Sequence, residues 1–157
     1  GAIVLSIGKN SIVYAGARHN ERTVGELPFR ETEEDIAAVA AASFVVGPVR
    51  VAGQAIAQQT TFPTTGGLEE NAFGAHGQAS VRIPVGGGLW LEPGYRFAML
   101  EPSDLVDNDQ VQEHTAGAIL GIEEFRTKIL LNVTHALEEA GRELKNDRVE
   151  LLLQVSL

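Results

Sequence analysis

The chain contains no cysteine. Disulfide frameworks, thiolate metal sites and cysteine nucleophiles are excluded together. Lysine is scarce: Lys9, Lys128 and Lys145 are the only three, and the nine arginines are scattered without a cluster. With a net charge of −9, the chain has no basic footprint, so nucleic acid is not an expected partner. No apolar run approaches the ~20 residues of a membrane-spanning helix. The opening "GAIVLSIGKN" has no basic region ahead of its short apolar patch, so no signal peptide is read there. A soluble protein with no membrane partner is the expectation, and its compartment is not legible.

Catalytic and phosphate-binding signatures are also missing. The stretch "VRIPVGGGLWLEPGYRFAML", residues 81–100, carries three consecutive glycines. A dinucleotide fingerprint needs spaced glycines before a helix, and a P-loop needs Lys and Ser or Thr after its last glycine. Here Leu89 and Trp90 follow, within a strand-like run. Gly86–Gly88 is therefore expected to be a hairpin turn that uses positive φ. Pro93-Gly94 has the composition of a type II turn, so the chain is expected to bend there. No G-x-S-x-G elbow exists. One histidine, His135, stands beside Glu138 and Glu139 where a zincin needs two. Asp104, Asp107, Asp109, Glu113 and His114 are close together, but the spacing lacks the glycine of an EF-hand and reads as a solvated acidic loop. No metal and no cofactor are expected, and the reading leans away from an enzyme.

What is present is one domain's worth of chain, 157 residues with 44% hydrophobic content. "AIVLSIG" and "SIVYAG" read as two strands around Gly8-Lys9-Asn10. Thr32 followed by Glu33, Glu34 and Asp35 resembles a capping box, which predicts a short Ala-rich helix over about 33–43. Residues 58–78 show no usable period and read as a long loop. "ASVRIPV" alternates, with Pro84 implying an edge or a bulge. The run at 116–122 is either strand or helix. Leu130, Val133, Leu137, Ala140 and Leu144 form a helical stripe, which predicts a long helix over about 126–144. "RVELLLQVSL" reads as a closing strand. The fold class expected is α+β: a single domain over 1–157, a strand-dominated antiparallel sandwich or barrel-like body with those two helices.

Two sets of residues are candidates for function. Trp90 and Tyr95, with Phe73 and His76 from the 58–78 loop, are the candidate ligand-binding residues, since aromatic faces stack on sugars or fill partner pockets. Val149, Leu151, Leu152, Leu153 and Val155 are the candidate assembly contact, because a terminal strand without Lys or Pro is an unguarded edge. The function expected is therefore a non-enzymatic structural subunit acting through homo-oligomeric contacts, of the virion or phage type. The alternatives are a small-ligand or carbohydrate-binding β domain, and an enzyme whose site is assembled only in the fold.

Overall fold

The computed structural model describes residues 1–7, 10–25, 30–123, 126–138 and 147–155. Among them is a single antiparallel sheet of ten strands and no α-helix. The strands are β1 (Ala2–Ile7), β2 (Ser11–Val24), β3 (Glu31–Val46), β4 (Val49–Phe62), β5 (Leu68–Val81), β6 (Ile83–Gly86), β7 (Leu89–Glu101), β8 (Val111–Ile122), β9 (Thr127–Glu138) and β10 (Arg148–Val155). They form a meander in which each strand pairs with the next, except that β6 continues β5 past Arg82 and pairs only with β7. β1 and β10 are the two edges.

The expected α+β class is thus corrected to all-β, and both predicted helices are strands. Residues 33–43 belong to β3, and the described part of 126–144 belongs to β9; residues 139–144 lie outside the described residues. The acids taken for a helix start bond across strands instead. Arg22 Nε on β2 donates to Glu33 Oε2 at 2.8 Å and lies 3.8 Å from Asp35, while the Thr60 hydroxyl on β4 donates to Asp35 at 2.9 Å. The helical stripe on β9 mixed two sheet faces, because Leu130 points one way while Val133 and Leu137 point the other. The long loop read at 58–78 is the end of β4, a 3-10 turn at Pro63–Thr65 and most of β5. The ambiguous run at 116–122 is the second half of β8. Of the first hairpin's connection, Gly8 and Lys9 lie outside the described residues.

The glycine turn is present. Gly86, Gly87 and Gly88 have φ of 103°, 62° and 74°, and Gly86 faces Leu89 across the turn, with a bulge at Pro84/Gly86. Pro93-Gly94 is no bend. It lies inside β7, and the break between β5 and β6 explains why proline is tolerated: the β5 ladder stops at Gly94 and the β6 ladder starts at Leu91. Pro93 falls between the two, where no donor is required from it on that side.

Register separates the residues into two faces. Directly paired residues share a face and successive residues alternate. One face carries Ile3, Leu5 and Ile7 on β1, Phe44 and Val46 on β3, Leu89 and Leu91 on β7, and Val149, Leu151 and Leu153 on β10. The other carries Arg22, Asp35, Arg50, Glu92, Arg96, Thr115, Thr134 and Arg148. Burial is the reverse of a water-soluble protein. Asp35, Glu92 and Thr134 are 3%, 6% and 1% exposed, whereas Val46 and Leu151 are each 74% exposed. Every buried strand residue lies on the polar face, including Ala37 and Trp90, the only buried hydrophobic residues among those described.

Candidate functional site

The polar face encloses a hollow of about 470 Å³ to which β3, β4, β5, β7, β8, β9 and β10 all contribute. Seven adjacent strands span roughly 28 Å at the usual strand spacing. One hollow touches them all only because the sheet curls, with the polar face inside and the apolar face outside. Small residues on the inside accommodate the curl. Gly94 and Gly117 are paired at its floor, and Asn132 lies over Gly117 so closely that an added Cβ there would overlap its side-chain oxygen.

Two rows of polar side chains cross this floor. One runs Arg148, Thr134, Thr115, Arg96, Gln78, with Thr115 Oγ1 and Thr134 Oγ1 hydrogen-bonded at 2.9 Å. The next runs Glu150, Asn132, Gly117, Gly94, Ser80, Arg50. Glu92 anchors the neighbouring row. It accepts hydrogen bonds from Ser80 Oγ at 2.8 Å and Arg82 Nε at 3.2 Å, and Arg50 Nε lies 3.7 Å away. Arg82 in turn sits 3.8 Å above the Trp90 ring.

Burial by itself raises the Glu92 carboxyl, but the Ser80 and Arg82 hydrogen bonds and the Arg50 and Arg82 charges together hold it below the ordinary value of 4.5. A carboxyl lowered by folding stabilises the fold fully above its unfolded pKa, and that contribution is lost as pH falls through the folded value. Glu92→Gln is therefore expected to lower the urea midpoint at pH 7 and to flatten its decline below pH 4.5. Equal acid sensitivity in both proteins would show that the Glu92 cluster contributes nothing.

The candidate ligand residues do not converge. Trp90 and His76 are on the polar face, while Phe73 and Tyr95 are on the apolar face, 41% and 50% exposed. Trp90 is covered rather than open, with its ring laid over Gly121. The candidate assembly strand is β10, paired only to β9. Val149, Leu151, Leu153 and Val155 are on the apolar face and Leu152 on the polar one. Asp104 is no free loop acid: its carboxylate accepts the Asn71 backbone N–H at 2.7 Å and the Asn71 side-chain amide at 2.8 Å, and these bonds hold its pKa below the usual carboxylate value. Arg96, Arg148, Glu92, Thr115, Asn132 and Thr134 line the hollow and were not singled out from sequence. Their sequence signal is weak: single polar residues at alternate positions of otherwise apolar strands.

The apolar outer face has limits. It runs from Ile36 to Val46 on β3, Val49 to Ala57 on β4, Phe73 to Val81 on β5 and Leu89 to Met99 on β7, about nine to eleven residues each. Beyond it, toward one end of the strands, the same face carries Glu34, Gln59, Asn71, Glu101 and Gln112. There His135 Nδ1 is 2.7 Å from Asp147, while the Tyr95 hydroxyl and His114 Nδ1, 2.5 Å apart, pair within the band. Among the described residues the connections at that end are 63–67 and 102–110, and those at the other end, 47–48 and 87–88, are shorter. No protein family, no curated protein and no solved structure matches this chain.

Proposed function

We propose that this sheet is the wall of a membrane-embedded β-barrel, with its apolar face in lipid and its polar face lining a water-filled lumen. The observation that carries the reading is the inverted burial. A globular monomer of this mass exposes roughly 7,700 Å² by size scaling, whereas this chain exposes 10934 Å². The excess is several times the ~800 Å² that one partner contributes to a standard interface, and the face that exposes Val46, Leu131 and Leu151 lies on the outside of a curl, where one partner cannot reach all of it. A bilayer covers such a surface from every side. Apolar stretches of about nine to eleven residues match a tilted strand crossing hydrocarbon. His135, paired with Asp147 at the end of the band, suits a headgroup boundary, and short turns at one end with longer loops at the other are the usual asymmetry of such barrels.

This departs from the expectation of no membrane partner, which rested on the lack of a helical span. The homo-oligomeric assembly subunit is the second reading, favoured by the unpaired edges of β1 and β10. Dilution of urea-unfolded chain into phosphatidylcholine vesicles, followed by density flotation, separates the two. The barrel reading expects the protein to float with lipid and to gain strand circular dichroism. Protein that stays in the dense fraction as lipid-free oligomers would overturn it in favour of the assembly subunit.

A further inference from the structure

We propose that the hollow on the polar face is a subsite for a small oxyanion, with Arg96 as its principal contact. The proposal rests on the reading of that face as the water-facing side of the wall.

The argument is an accounting of charge. Arg50 and Arg82 share Glu92. Arg148 lies 3.9 Å from Glu113 and 3.6 Å from Glu150, and Arg22 pairs with Glu33. Among the described residues Arg96 takes part in no ion pair or side-chain hydrogen bond, and its cross-strand neighbours, Gln78 and Thr115, are uncharged. Its guanidinium has five donors and no acceptor, a fork that matches two oxygens of a carboxylate or phosphate group. The hollow's lining holds Arg50, Arg96 and Arg148 against Glu92 and Glu150, a local cationic excess in a chain of net charge −9.

The surroundings suit an anion as well. Glu92 is already engaged by Ser80 and Arg82, so it does not satisfy Arg96. The Thr115 and Thr134 hydroxyls and the Asn132 amide stand on the same floor and supply neutral hydrogen-bonding groups. The Gly94–Gly117 pair lines the hollow beside Arg96, and the Asn132 side chain that lies over Gly117 brings its amide to the same floor. Rings of arginine are the usual device by which a lumen selects anions.

The test uses the full chain in detergent micelles, where no bilayer is required, with inorganic phosphate as the probe in titration calorimetry at low ionic strength. Saturable binding is expected, weakened about tenfold or more by Arg96→Gln, a loss of ~1.4 kcal/mol. Arg96→Lys is expected to retain part of it. Arg18→Gln, on the same face but outside the hollow, is expected to leave binding unchanged. Circular dichroism of each variant checks that the sheet is retained, and Arg96→Lys serves if Arg96→Gln does not fold. Equal weakening by the Arg18 and Arg96 variants, or no saturable binding by the parent, would overturn the site. Arg96-dependent binding by a protein that fails to float with vesicles would keep the site and remove the membrane reading.

Discussion

Leu131→Arg is expected to destabilise the vesicle-inserted protein by about 2–4 kcal/mol, the cost of an arginine near the bilayer midplane on a barrel's lipid face. Leu131 lies on the apolar face of β9, 47% exposed, between Ala118 on β8 and Leu151 on β10. Leu130, its neighbour, points into the hollow instead. Leu130→Arg therefore places the same charge one residue away, in water, and its cost should be much smaller. Urea unfolding of both variants in vesicles makes the comparison. In an ordinary soluble domain the order reverses: the arginine on the exposed face is tolerated and the one on the enclosed face is costly. Equal costs, or a larger cost for Leu130→Arg, would therefore count against the lipid assignment.

Gly121→Val should produce the second large effect, through the only tryptophan in the chain. Gly121 is paired directly with Trp90, and the indole lies so flat over it that an added Cβ would fall within the ring. Packing of this kind, an aromatic covering a cross-strand glycine, supports a curved sheet. Valine displaces the ring, which removes the platform beneath Arg82 and loosens its hold on Glu92. Overpacking of a tight site costs about 1–3 kcal/mol. The readout is direct, because Trp90 is 7% exposed. Its emission should shift to the red and acrylamide should quench it more strongly. Emission and quenching like the parent's would show that the indole does not rest on Gly121.

The sequence revealed strands where alternation was clean, as at Val81, Ile83 and Val85, and at 149–155. It misled where the two faces differ little. In "AAVAAASF" both faces of β3 are small and apolar, so neither period 2 nor period 3.6 stands out, and alanine's helix propensity decided the reading wrongly. On β9, alternation between Ile129, Leu131 and Val133 competed with a spurious stripe through Leu130. The apolar surface was hidden for a related reason. An alternating strand spends every second residue on the other face, so the mean hydropathy is only +0.01 and no long apolar run appears. The hollow was less legible still. Arg50, Glu92, Arg96 and Arg148 belong to three strands and look scattered along the chain. Only the register of the ladders brings them to one floor.

β1 and β10 both run from the long-connection end toward the short-turn end. Ten strands less β6 leave nine on the main path, an odd number, so the wall presents two like poles. A strand laid antiparallel to β10 is antiparallel to β1 as well, and one such strand, or any odd number, joins the two with alternation intact. A second copy in the same membrane orientation cannot, because it brings its β1 alongside β10 in parallel. Antiparallel completion of the ring is therefore a task for an odd set of strands, and direct closure of β1 on β10 leaves one parallel seam. Since the chain has no native cysteine, a pair introduced at Val4 and Leu152 reports a β1–β10 seam as an intramolecular disulfide on a clean background.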